Sequence, residues 1–296
     1  MAAKRYEVIV QSRVAVDPGY TLPKKDTRKL SDFVNLWYQS TGQLLNSGQD
    51  SFQRMIQASA KMGNPVMTVF KPVVFIEYRS ARITEGTKPA TLNRELQTFK
   101  AVFNDLIRSG QYEGKNHFSA IKQIRLSEPK TVFLSTDQIK KLFSYLEKSE
   151  SDAYLIALVC LATGARWGEA QSLALSDLSN NMVHYHETKS KKSRSVPISE
   201  ALYKRLHDRL ILDRLTDSYS TFTPRLYESG INLPEGQRTH VLRHTFASHY
   251  MMNGGNILAL QKILGHSSLN MTMKYSHLAP DYLREILQTN PALTLC

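Results

Sequence analysis

The segment Thr91–Arg108 constrains this chain most. Leu92, Leu96, Phe99, Val102, Phe103, Leu106 and Ile107 recur at spacings of three and four, which no strand period accommodates and which places one apolar stripe along a helix. Gly110 follows as a stop. Three further segments upstream read the same way: Leu30–Ser40 behind a Ser31 or Asp32 cap, Asp50–Met62 ending at Gly63-Asn-Pro, and Pro72–Ile83 ending at Gly86. An all-helical domain over 28–112 follows. Residues 1–27 contain a β-branched, strand-like stretch at 4–16 and then the turn signal Asp17-Pro-Gly.

Residues 113–130 are polar, basic and poorly periodic, and are expected to form a linker between two domains, the second spanning 131–296. A chain of 296 residues suits two domains better than one. The second opens with the cap-like Ser135-Thr-Asp-Gln and continues through the apolar run Ala153–Ala162, which breaks at Gly164. Met182–Ile198 departs from the helical period and reads as strand, basic turn, strand; helices resume at Ser199–Arg214 and after Thr239. The expected class is mainly α with a small β-sheet or hairpin (α+β).

Charge narrows the partner. A formal net charge of +12 and a pI near 9.6 favour a polyanion, because clustered Lys and Arg bind phosphates and release counterions. Two cysteines make no disulfide framework, and Glu7 interrupts any signal-peptide core. No apolar run approaches the roughly 20 residues of a membrane span. A cytoplasmic protein with no membrane partner is expected.

The residues suited to phosphate chemistry lie in the second domain. Breaking a phosphodiester by nucleophilic attack adds negative charge to the non-bridging oxygens, and planar guanidinium groups suit that charge. Arg166 stands in Thr163-Gly-Ala-Arg-Trp-Gly-Glu169, where it can also pair with Glu169 or cap a helix. Arg243 stands in Thr239-His-Val-Leu-Arg-His244, three residues after His240 and on the same helix face. His244 falls one step round and reads as a structural side chain. His266 follows the helix-end glycine of Leu264-Gly-His266, and Ser267-Ser268 can cap a next helix carrying Met271, Lys274 and Tyr275 before Pro280. Tyr275, nine residues after His266, is the candidate nucleophile, helped by flanking cations to lose a proton of intrinsic pKa about 10. Lys189, at the tip of the hairpin, is the candidate proton donor to the leaving oxygen, with Lys191 and Lys192 as alternatives. Lys191, Lys192 and Arg194 are otherwise expected to bind DNA phosphates from a solvated basic turn.

The ordered series Arg166, Lys189, His240-x-x-Arg243, His266 and Tyr275 resembles the tyrosine site-specific recombinases of the phage integrase type. The likeness covers roughly residues 28–285, with its specific content in 160–280. It implies a helical core-DNA-binding domain and a mixed, mostly helical catalytic domain. It also implies attack by Tyr275 to give a 3′-phosphotyrosine, and strand exchange through a Holliday junction during integration or excision of a mobile element. Arg166, Arg243 and His266 would hold the phosphate, His240 would accept the tyrosine proton or bind phosphate, and Lys189 would be the general acid. No metal or other cofactor is implied. Partners would be double-stranded DNA at specific sites and further copies of the chain, as a tetramer joined through the helix-like Tyr282–Leu287, with accessory DNA-bending or excision-directing proteins. The amino-terminal stretch is shorter than the separate arm-binding domain of many phage integrases. A non-catalytic DNA-binding protein and a type IB topoisomerase-like enzyme are the competing readings. A metal-dependent phosphate enzyme, using His184 with His186 or His240 with His244, lacks the acidic cluster it would need.

Overall fold

In the computed structural model, residues 26–126, 132–186, 193–234 and 236–280 are described, together with Ser12. The strand-like stretch 4–16, Lys189, Lys191, Lys192 and the Tyr282–Leu287 segment lie outside them. The chain divides into two compact units, residues 1–128 and 129–296.

Four helices build the first unit: α1 (Leu30–Ser40), α2 (Gly48–Lys61), α3 (Pro72–Thr84) and α4 (Pro89–Arg108). The α1 start is fixed by Asp32, whose carboxylate accepts the Lys29 backbone N–H at 2.8 Å. Prolines open α3 and α4 at a position where the missing N–H costs nothing. The apolar stripe of α4 is buried from Leu92 to Leu106, while Ile107 at its end is 37% exposed.

The first core reaches beyond the helices. Residues expected to begin the linker form a short 3₁₀ turn, His117–Ala120. Its Phe118 is fully buried and stacks on Phe99, ring centroids 4.8 Å apart. Asn93 then ties Ile124 by two hydrogen bonds, donating to its carbonyl at 2.8 Å and accepting its N–H at 2.9 Å. Packed structure therefore continues to Ile124. A single 3₁₀ turn has no period for a sequence pattern to reveal.

The second unit contains α5 (Thr136–Leu146), α6 (Ala153–Thr163), α7 (Trp167–Gln171), β1 (Leu178–Ser179), β2 (Met182–Tyr185), β3 (Arg194–Pro197), α8 (Glu200–Leu212), α9 (Tyr219–Glu228), α10 (His240–Met252), α11 (Ile257–Leu264) and α12 (Asn270–Met273). The α5 cap is reciprocal: Gln138 N–H donates to Ser135 Oγ, and Ser135 N–H to Gln138 Oε1. The three strands form an antiparallel sheet in the order β1-β2-β3, with Val183 opposite Val196 and Tyr185 opposite Arg194. The protein is thus mainly helical with one small sheet.

Helix α6 is apolar on all sides because α10, α7, α9 and α5 pack around it. It ends at Gly164, φ +67°, where an added Cβ would lie 2.5 Å from Phe246 and 2.7 Å from Leu264. Both the left-handed backbone and this close approach demand glycine. That tight crossing brings the α6 end to α10 and to the end of α11. Among the described residues, no helix is long and apolar enough to cross a membrane.

Candidate active site

Helix ends leave carbonyl groups without intrahelical partners and carry a partial negative charge. Two such ends meet Arg243. Its Nη1 donates to the Gly164 carbonyl at 2.8 Å and its Nη2 to the Leu264 carbonyl at 2.7 Å. The side chain starts from the first turn of α10 and is 5% exposed. Burial first, and the charge of Arg166 second, pull its pKa down to about 10, so it stays a cation at neutral pH.

Arg166 sits at the start of α7. Its backbone N–H donates to Glu169 Oε2 at 3.0 Å and its Nη1 to Glu169 Oε1 at 2.7 Å. The pairing with Glu169 raised by the sequence is therefore present, yet Arg166 remains 30% exposed. It lines a cavity of about 880 Å³ together with His240, Thr239, Trp167, Tyr185 and His186. Arg194 departs from the expectation of a solvated, phosphate-binding side chain. It is 5% exposed, donates from Nη2 to Glu169 Oε2 at 2.5 Å, and its guanidinium lies 4.3 Å from the Tyr185 ring centroid. Antiparallel pairing puts it opposite Tyr185 on the inward face of the strand, which a basic run in the sequence does not reveal.

His266 follows Gly265, the left-handed cap of α11 at φ +66°. It is 6% exposed, and its Nδ1 is 2.8 Å from Thr272 Oγ1. With Nδ1 engaged, Nε2 is the atom through which the ring can address a ligand. The expected helix after Ser267-Ser268 is shorter than anticipated. It spans only Asn270–Met273 and lacks a side-chain cap, and Tyr275 follows it at the head of a 3₁₀ turn, Ser276–Leu278.

Tyr275 is 1% exposed, packed in a small core with Ala247, Met251, Leu260 and Leu264. Its hydroxyl lies 2.7 Å from His244 Nδ1. From sequence His244 reads as a structural residue, and nothing local there announces its contact with Tyr275. The nearest signal is the four-residue spacing from His240, which puts both rings on one face of α10. Lys274, which the sequence places beside Tyr275 without a role of its own, has its ammonium 5.0 Å from the Tyr275 ring centroid.

Burial and positive charge dominate the electrostatics of these side chains. Burial pushes the Tyr275 phenol up to about 12, against the pull of Arg243. Burial, then Lys274, takes His244 down to about 4; burial, then Arg243, does the same to His266. His240 is lowered too, by burial and then Arg243 and Arg166. These charges act on one another because Arg166, His240, Arg243, His266 and Tyr275 converge from separate segments.

The buried neutral rings set a pH dependence. In the unfolded chain His244 and His266 protonate near the ordinary value of about 6.5. Between about 6.5 and 4 the unfolded chain takes up protons that the folded chain refuses, so stability falls as pH is lowered through that window. The urea midpoint of the second unit's unfolding is expected to be lower at pH 5 than at pH 7. Equal midpoints would contradict burial of these rings in neutral form.

Two family models match: "Phage integrase, N-terminal domain" over residues 26–125 and "Phage integrase family" over residues 132–281. The integrase of Escherichia phage 186 is 40% identical over 98% of this chain and 89% of its own length. The solved catalytic domain of bacteriophage HP1 integrase is 46% identical, with a TM-score of 0.52, covering 55% of this chain and 98% of that one. A lambda integrase tetramer solved on a Holliday junction shares the fold, with a TM-score of 0.68 at 17% identity over 88% of this chain and 85% of that one. Motifs, fold and relatives agree, and the chain belongs to the phage integrase family of tyrosine recombinases.

Proposed function

We propose that this integrase cuts and rejoins DNA at specific sites with Tyr275 as nucleophile. The Tyr275 Oη attacks the scissile phosphorus, the bond from phosphorus to the 5′ oxygen breaks, and a 3′-phosphotyrosine forms. The 5′-hydroxyl of a second strand then attacks that linkage, restores the phosphodiester and frees the tyrosine. Two such exchanges make and resolve a Holliday junction. The linkage keeps the bond energy, so the cycle needs no nucleotide.

Arg166 and Arg243 neutralise the charge that grows on the non-bridging oxygens, and His266 Nε2 donates to one of them. His240 meets the phosphate or takes the tyrosine proton, and His244 holds the hydroxyl before attack. Lys189 protonates the leaving 5′ oxygen, with Lys191 and Lys192 contacting the backbone beside it. The observation that carries this reading is the convergence of five side chains from four segments on one site with a surplus of positive charge.

The helical unit serves as the core-DNA-binding module and the second unit as the catalytic one. Copies assemble on DNA, as the lambda protein does in its solved tetramer, here through Tyr282–Leu287, and DNA-bending or excision-directing proteins set the direction. The protein works in the cytoplasm, where its DNA is.

The test is incubation with a nicked suicide duplex bearing candidate attachment sites, in the presence of a chelator. A protein–DNA adduct whose linked peptide maps to Tyr275 is the expected result. An adduct that chelator abolishes, or one mapping to another residue, would sink the reading.

A further inference from the structure

Arg194 is a buried cation for which the chemistry above has no use. Its side chain is 5% exposed, and its Nε and Nη1 are buried without an acceptor among the described residues. Burying such a group uncompensated is costly, and among the described residues Glu169 is the one carboxylate paired with it. That carboxylate, Glu169, is shared: Oε1 binds the Arg166 guanidinium, and Oε2 binds both Arg194 and the Arg166 backbone N–H. The stem of Arg194 also underlies the turn that carries His266, since a Cβ on Gly265 would lie 3.2 Å from its Nη1 and 3.3 Å from its Cδ.

We propose that Arg194 is a positioning residue for Arg166, dividing the charge of Glu169 so that the carboxylate orients Arg166 without neutralising it. Two guanidinium groups on one carboxylate leave one net positive charge, and that charge sits on the partner facing the cavity. Arg166 is the exposed member at 30%, against 13% for Glu169 and 5% for Arg194. Without Arg194, Arg166 would be the one cation left paired with Glu169 among the described residues. The closed pair would carry no net charge, and the phosphate would lose one of its two guanidinium partners in effect while keeping it in place. This inference rests on the integrase chemistry proposed above.

Single-turnover cleavage of the suicide duplex by the full chain is the measurement, with thermal midpoint and DNA affinity read on the same proteins. Arg194→Met is expected to cleave roughly 10²-fold more slowly, the size of losing one preorganised donor to the transition state. Its DNA affinity should stay near that of the wild type.

Two readouts separate positioning from a merely structural role. The double variant Arg194→Met/Glu169→Gln restores the wild-type net charge and keeps an acceptor for the Arg166 N–H, so it should recover most of the lost rate. A duplex with a neutral methylphosphonate at the scissile position has less charge to neutralise, and on it Arg194→Met should match the wild type. Wild-type cleavage by Arg194→Met, no recovery in the double variant, or an equal defect on the methylphosphonate would each overturn the inference. If the wild type itself forms no Tyr275-linked adduct, the integrase chemistry fails first and the inference falls with it.

Discussion

Tyr275→Phe is expected to abolish adduct formation on the suicide duplex, with a rate loss of roughly 10⁴–10⁶-fold, the scale on which removal of a nucleophile acts. Phenylalanine keeps the ring that fills the core of Ala247, Met251, Leu260 and Leu264, so DNA binding and most of the stability should survive. The lost contact is the one between the hydroxyl and His244 at 2.7 Å, a hydrogen bond worth about 1 kcal/mol. The raised phenol pKa of about 12 sharpens the prediction. At pH 7 only about one tyrosine in 10⁵ is ionised at that value, so reaction needs the proton to leave during attack, toward a base. His244 and His240 are neutral at that pH and can accept it. Persistence of a covalent adduct in Tyr275→Phe, read on a denaturing gel, would assign the nucleophile elsewhere.

Periodicity and chemistry were legible in the sequence where a single element carries them. The stripe of α4 read directly because one face of one helix packs on one core. The hairpin read because β2 and β3 are each bounded by turn signals. Arg243 read because its i, i+3 relation to His240 is a property of the helix itself.

What escaped depends on contacts between segments distant in the chain. Phe118 belongs to the first core through its stack on Phe99, 19 residues earlier, with no local period to announce it. Arg194 sits in a basic run that looks solvated, and only its pairing opposite Tyr185 turns it inward. Tyr275 leaves the helix one residue after its cap, because the Tyr275 ring is drawn into the core beside α10. His244 acquires a role only once that ring arrives. The sequence offers Arg243 as a candidate phosphate ligand, while the two helix ends that pin it are invisible there, since they come from Gly164 and Leu264.

Those two helix ends make Arg243 the residue whose loss should be felt twice. Arg243→Ala removes a guanidinium from the phosphate and is expected to slow cleavage by roughly 10³–10⁵-fold, the range over which a transition-state arginine acts in phosphoryl transfer. It also leaves the carbonyls of Gly164 and Leu264 buried and unpaired, at about 1–3 kcal/mol each. The thermal midpoint of the second unit should therefore drop along with the rate. Arg243→Lys separates the effects. Lysine keeps the charge, but a single ammonium cannot span two carbonyls with a rigid fork and also face a phosphate. It should recover part of the stability, while cleavage stays at least roughly 10²-fold down, as when one aimed donor is lost. Equal thermal midpoints for wild type and Arg243→Ala would refute the bracing by helix ends. Wild-type cleavage by Arg243→Lys would show that charge alone suffices, and that the planar geometry fixed by Gly164 and Leu264 contributes nothing to the reaction.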